Sequence, residues 1–301
     1  MNPDHEKLVL RAKIIQSVRE FFIARDFLEV ETPLRIPANA PEEHIEPYSS
    51  GDAYLQTSPE LCMKRLLCRG YEKIFQISRC WRQGERGRRH LPEFTMLEWY
   101  RADSHYHALM DDCETLLLHL SNTYTEDNTI SYGAMSILLH EGMERLTVRD
   151  AFDRYCRVSM ESAVIDGSFD ERMVTQIEPE LAQGKPVILM NYPAEMAALA
   201  RRKANDPSVA ERFELYVGGM ELANGFSELN DPIEQRQRFI DANTRRQTSG
   251  TSELPLPEPF LKDLESMPPS AGIALGIDRL VMLFTGAERI DNVVAFSPES
   301  L

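Results

Sequence analysis

The chain is expected to adopt a mixed α/β fold of the α+β kind, and three observations predict it. Residues 74–82 and Phe94–Tyr100 carry β-branched and aromatic side chains on either side of an arginine-rich loop, and so read as an antiparallel hairpin. Phe213–Val217 and Met220–Asn224, joined by Gly218-Gly219, have the form of a second hairpin with a two-residue turn. Between and around them, apolar residues recur at helical spacing, at Leu10, Ile14, Val18, Phe21 and Phe22 and again at Leu109, Cys113, Leu116, Leu117 and Leu120.

Composition narrows the class. The 301 residues can bury a full core, and 43% apolar with 27% charged residues is ordinary for a soluble globular protein. There is no apolar run of about 18 residues and no basic segment followed by an apolar stretch at Met1, so neither a membrane span nor a signal peptide is read and the expected compartment is the cytoplasm. The five cysteines form no CxxC pair, which argues against zinc and disulfide frameworks. With 33 basic and 48 acidic residues the net charge is −15. That disfavours broad binding to phosphate backbones, although a local basic patch can still operate on an acidic protein.

In chain order, Asn2 followed by Pro3 can cap the first helix, Phe27 to Glu31 extends, and Thr32-Pro33 ends it. Residues 34–57 read as a loop that closes over something. Ser58 is placed at the N-cap and Pro59 at N1 of a helix through Leu61, Lys64, Arg65 and Leu67. In the first hairpin, period-two geometry puts Gln76, Ser78, Cys80 and Arg82 on one face of one strand and Phe94, Met96, Glu98 and Tyr100 on one face of the other. Such a face suits an anionic, planar ligand together with a cationic one, whereas six arginines in and around a loop can also simply keep it in water. The segment 124–182 carries helical fragments, including a capping box at Thr147 and Asp150, and no chemistry. Val187–Met190 reads as a short buried strand, and the polar run to Asp206-Pro207 as a surface connection.

The second hairpin has a derivable register. Pairing Val217 with Met220 and Tyr216 with Glu221 places Glu214, Tyr216, Glu221 and Ala223 on one face, with Glu214 and Glu221 diagonal and about 7–8 Å apart at the backbone. Two such carboxylates can hold Mg²⁺ together with nucleotide phosphates, or can simply form a charged exterior. Glu228 has the wrong parity unless a bulge intervenes, and Gly225 is the expected bulge. Asp231-Pro232 with Glu234 begins a helix to about Gln247, and a proline-rich loop follows. Gly272 to Gly276 then reads as a small-residue strand turning into a helix, with Arg279 near the start of that helix and close to any bound phosphate.

Several of these stretches resemble a known family. The run Arg82-Gln-Gly-Glu with Arg88-Arg-His and PEFTMLEWYRA (92–102) resembles motif 2 of class II aminoacyl-tRNA synthetases in its lysine-handling version. FFIARDFLEVETP (21–33) resembles motif 1, GMELANGFSEL (219–229) the segment that binds Mg²⁺, ATP and the substrate amine, and GIALGIDRL (272–280) motif 3. All three motifs occur in order, and only some two dozen residues precede motif 1, too few for an anticodon-binding barrel. The chain is thus similar to the elongation factor P lysine ligase family, truncated relatives of lysyl-tRNA synthetases.

That resemblance implies one catalytic domain over 1–301, with a mostly antiparallel central sheet flanked by helices, dimerising through motif 1. It implies ATP and Mg²⁺ as cofactors and lysine or (R)-β-lysine as substrate, with elongation factor P favoured over tRNA as the acceptor, and no membrane. It carries over catalytic roles for Arg82, Glu221 and Arg279 and metal ligation by Glu214 and Glu221. Phe94 is expected to stack on adenine and His90 to meet the outer phosphates; Gln83, Gly84, Glu85, Leu91, Leu222 and Gly276 complete the ATP site. Ser58, Pro59, Glu60, Asn224 and Ala274 are expected at the amino acid, with Glu60, Glu98, Tyr100 and Glu228 holding its amines. Where the family usually reads Arg-Asn-Glu this chain reads Arg82-Gln83-Gly84-Glu85, and Leu91 stands where Asn is usual. Adenine recognition therefore passes either to Glu85 or to backbone groups near Gly84. Ala274 replaces a usual Gly, and its methyl is expected to favour β-lysine. Two other functions remain open: a minimal tRNA-charging enzyme and a catalytically silent regulator.

Overall fold

A computed structural model describes residues 5–182 and 184–301, so the proposed cap at Asn2-Pro3 lies outside the described residues. The central sheet has eight strands: β1 (Leu28–Glu29), β2 (Lys73–Trp81), β3 (Glu93–Ala102), β4 (Glu144–Thr147), β5 (Val187–Met190), β6 (Arg212–Val217), β7 (Met220–Ser227) and β8 (Ser270–Gly276). They lie in the order β1-β2-β3-β8-β7-β6-β5-β4. Every inner pairing is antiparallel, and only the edge pairs β1/β2 and β4/β5 are parallel. The mostly antiparallel expectation holds.

The first hairpin takes the register its alternation demands, with Gln76 opposite Glu98 and Cys80 opposite Phe94. The Gly218-Gly219 turn has both residues at positive φ, +59° and +67°, as a tight turn between right-twisted strands requires. Helices α1 (His5–Ile23), α2 (Glu60–Leu67), α3 (Tyr106–Tyr124), α4 (Pro232–Thr248) and α5 (Ile277–Thr285) flank the sheet. The main core lies between one sheet face and α1, α3 and α5, where Phe22 stacks on Phe75 at 5.0 Å and touches Trp99 at 5.1 Å. Asp231 caps α4 by accepting the Ile233 and Glu234 N–H groups, and Thr147 accepts that of Asp150.

Several expectations need correction. The bulge in β7 falls at Leu222 rather than Gly225: Tyr216 pairs with Glu221, but Leu215 already pairs with Ala223. Leu222 and Ala223 both pack into the core, so Ala223 does not share the face of Glu214 and Glu221. The slip puts Glu221, Asn224 and Phe226 on one face, as β7/β8 pairing of Asn224 with Ala274 confirms. Gly225 is needed for packing instead, since a Cβ there would lie 2.7 Å from the Phe213 ring. The strand after α1 is two residues long, and α2 begins at Glu60, one residue later than read. Residues 34–57 contain a small three-stranded sheet, and the polar run to Asp206-Pro207 forms part of a two-stranded one. The segment 124–182 builds a second hydrophobic cluster around Phe152, Phe169 and Ile177.

Candidate active site

One face of the sheet floors a cavity of about 310 Å³, and its two ends differ in chemistry. At one end, Arg279 at the start of α5 donates to the Glu221 carbonyl at 2.7 Å and approaches its carboxylate at 3.3 Å. The His90 Nε2 lies 2.6 Å from the same guanidinium. Burial and the charge of Arg279 both push the His90 pKa down, so a neutral ring accepts that hydrogen bond. Arg82, from the loop after β2, sits between the ends, with its guanidinium 5.2 Å from the Phe94 ring centroid and 3.7 Å from Glu85. Asp278 on α5 also borders the cavity, fixed by Arg11 at 2.5 Å and by the Thr95 N–H at 2.7 Å, which ties α1 to the site.

The other end is a buried carboxylate pocket. Glu98 on β3 is 1% exposed and accepts from the Ser58 hydroxyl at 2.6 Å and the Tyr100 hydroxyl at 2.7 Å. Burial pushes its carboxyl up to about 8, with the charge of Glu60 adding and the two hydroxyls opposing. Lys64, fully buried on α2, contacts Glu60 and Glu228 at 2.5 Å each. Burial raises the Glu228 carboxyl, and Lys64 pulls it back. Glu228 Oε1 is buried and has no hydrogen-bond partner among the described residues. A methyl at Gly272 would overlap both that oxygen and the Tyr100 ring, so this glycine makes room for protein side chains.

The fold gathers most of the expected residues here. Arg82, Glu85, His90, Leu91, Phe94 and Glu221 border the arginine-bearing part, and Leu222, Gly276 and Arg279 join them. Ser58, Glu60, Glu98, Tyr100, Asn224 and Ala274 border the rest, with the Ala274 backbone paired between Asn224 and Glu98. Gln83, Gly84 and Pro59 do not border it, and Glu228 and Glu214 sit behind its wall. Glu214 accepts from Arg212 at 2.6 Å and from the Tyr192 and Tyr216 hydroxyls at 2.7 Å each. Burial and the neighbouring Glu221 charge both raise its carboxyl.

Three participants went unread in the sequence. Lys64 had a usable signal, since Glu60 and Lys64 are four apart on a helix. Glu178, from the segment that carried no motif, has its carboxyl raised by burial and by Glu214 and Glu221, and nothing local announces it. Glu42 lines the cavity from the loop before α2.

As a metal set, the accessible hard-oxygen donor is the Glu221 carboxylate, whereas Glu214, expected as a second ligand, has both oxygens engaged by Arg212, Tyr192 and Tyr216. Among the described residues no group of three or more His, Cys, Asp or Glu is arranged around a metal position. A single accessible carboxylate at Glu221 is compatible with an Mg²⁺ ion that takes its other positions from phosphate and water. The residues fit that ion.

Among the described residues no helix is long and apolar enough to cross a membrane. A family profile described as tRNA synthetases class II (D, K and N) matches residues 2–300. The chain is 40% identical, over 96% of its length and 94% of the relative's, to a protein of Edwardsiella ictaluri named elongation factor P–(R)-β-lysine ligase. It is equally similar, at 40% over 96% and 94%, to one of the same name from Vibrio cholerae. A lysine–tRNA ligase of Pasteurella multocida is 38% identical over 96% of this chain, which spans 63% of that protein. The two-ended cavity, the motif residues around it and the match over nearly the whole length agree, and the chain belongs to the class II tRNA synthetase family of the D, K and N type.

Proposed function

We propose that this protein activates lysine or (R)-β-lysine with ATP and transfers it to a lysine side chain of elongation factor P. The observation that carries the reading is the polarity of the cavity. Arg279 and Arg82 supply positive charge and His90 a polar ring at one end, and Glu60 and Glu98 supply carboxyl groups at the other, backed by the buried Lys64–Glu228 pair. A diamino acid laid along that axis places its carboxylate at Arg82 and its ammonium groups among the carboxylates, where buried positive charge needs such partners.

The chemistry follows in two steps. A substrate carboxylate oxygen attacks the α-phosphorus of ATP, the bond to the β-phosphate oxygen breaks, and pyrophosphate leaves. The acceptor amine then attacks the acyl carbon of the mixed anhydride, the acyl–oxygen bond breaks, AMP leaves and the amine loses a proton. Arg82 steadies the charge that develops between carboxylate and α-phosphate, while Arg279 and His90 hold the outer phosphates. Phe94, with the Arg82 guanidinium above its ring, offers adenine a flat apolar surface. Glu85 borders the cavity where Gly84, at φ +80°, does not, which favours Glu85 as the purine contact. Mg²⁺, held through Glu221 with Glu214 behind it, would neutralise phosphate charge. The exposed apolar side chains Val9, Ile23 and Leu28 on α1 and β1 suit a homodimer contact.

The relatives named elongation factor P–(R)-β-lysine ligase, 40% identical over 96% of this chain, support the elongation factor reading. Pyrophosphate exchange with each lysine isomer tests the first step. Radiolabelled amino acid offered to elongation factor P and to tRNA tests the second, and label on tRNA alone would reverse the choice. Absence of exchange with any amino acid would point instead to the silent regulator.

A further inference from the structure

The carboxylates of the pocket are not equally free. Glu98 takes two hydroxyl hydrogen bonds, and Glu60 and Glu228 share Lys64. Glu42 also lines the cavity, yet no hydrogen bond or ion pair from a described residue engages its carboxylate. Its strongest favourable electrostatic neighbour is Arg82, followed by Arg212 and Lys64, and its main like-charged neighbour is Glu60. It therefore lines the same cavity wall region as Arg82, the proposed carboxylate contact, and Glu60 of the carboxylate group. Burial raises its carboxyl to about 7, so a cation arriving beside it gains a counter-charge that nothing in the protein already uses.

The loop that presents Glu42 is anchored. Arg246 on α4 is fully buried and donates to the carbonyls of Glu42 and Ile45 at 2.9 Å each, and it reaches the Glu46 carboxylate at 2.5 Å. The Gln83 N–H donates to the Glu46 carbonyl at 2.7 Å, which joins this loop to the one carrying Arg82. A fully buried guanidinium spent on main-chain carbonyls of a surface loop fixes where that loop's side chains point.

Resting on the activation reading above, we propose that Glu42 is the counter-ion for the substrate ammonium nearest the carboxylate. It thereby makes the site select a diamino acid over an acid that carries only a distant amine. The deep ammonium goes to the Glu98 carboxylate, which borders the cavity, and the near one, on the α- or β-carbon, lies between Glu42 and Glu60. Arg246 acts as a positioning residue for this contact.

The test compares dissociation constants, measured by calorimetry with a non-hydrolysable ATP analogue present, for (R)-β-lysine, α-lysine and 6-aminohexanoic acid, which lacks the near amine. The proteins are the parent, Glu42→Gln and Glu42→Asp. A hydrogen bond between charged groups predicts that Glu42→Gln weakens the two lysines by roughly 10- to 100-fold while leaving 6-aminohexanoic acid unchanged, with Glu42→Asp between. Equal weakening of all three ligands would reduce Glu42 to a structural role and overturn the assignment, as would an unchanged preference. Pyrophosphate exchange in the parent separates the two levels: a parent active with β-lysine whose Glu42→Gln variant keeps the parent's preference loses this assignment alone, whereas a parent inactive with every diamino acid loses the activation reading as well.

Discussion

The two ends of the cavity handle charge in opposite ways. At the Arg279 end, proposed above for phosphate, Arg279 is 19% and Glu221 40% exposed, so their attraction is screened by water and each remains available to an incoming ligand. At the carboxylate end, proposed above for the amine, Lys64 and Glu228 are both 0% exposed and already paired. Buried charges of that kind must be matched within the protein, and removing one partner leaves the other uncompensated. The contrast suggests that the phosphate end trades fixed geometry for accessibility, while the amine end is pre-organised and titrates differently from ordinary carboxylates.

The largest effect should come from breaking the buried pair. Lys64→Met leaves Glu228 without its counter-charge and is expected to cost about 3–5 kcal/mol in urea denaturation. Adding Glu228→Gln should recover much of that loss, and simple additivity of the two changes would contradict the pairing. By comparison, Glu221→Gln should leave stability unaltered yet lower adenylate formation by about 10²–10³-fold, the usual loss when one preorganised charge-stabilising contact is removed. Retained pyrophosphate exchange in a folded Glu221→Gln protein would show that the phosphate end does not depend on this carboxylate.

A smaller effect is expected where the two ends meet. The Ala274 methyl sits on the strand between Asn224 and Glu98, and Ala274→Gly should shift the β-lysine to α-lysine ratio of kcat/KM toward α-lysine by roughly 10- to 200-fold. An unaltered ratio would move isomer selectivity elsewhere in the pocket. The smallest concerns pH. Because burial holds Glu98 at about 8, it is mostly protonated at neutral pH in the empty site and binds an ammonium better once ionised. Affinity for the diamino substrate should therefore rise with pH toward 8, by up to about tenfold per unit. The sign for the empty fold is opposite. A carboxyl whose folded pKa exceeds its unfolded value binds its proton more tightly when folded, so stability falls as pH rises from about 4.5 to 8. Melting curves of the parent and Glu98→Gln across that window should converge at low pH and separate as pH rises, and parallel curves would remove Glu98 from the account.

What the sequence determined by itself was local. Alternation in 73–102 set the strand register, Gly218-Gly219 set the turn, and Asp231-Pro232 set the start of α4, because each depends on backbone geometry within a few residues. Motif spacing was enough to gather Arg82, His90, Glu221 and Arg279 around one cavity. The tertiary structure decided the rest. The bulge went to Leu222 because that side chain fits the core while Gly225 had to clear the Phe213 ring, a contest no local pattern records. Lys64 gained a second carboxylate, Glu228, that lies 164 positions away in the chain, and Arg246 reached loop carbonyls about 200 residues distant. Glu214 passed from a presumed open ligand to a carboxylate enclosed by Arg212, Tyr192 and Tyr216. Burial and long-range pairing arise only when distant segments pack, and those are the quantities that set the charge state of this site.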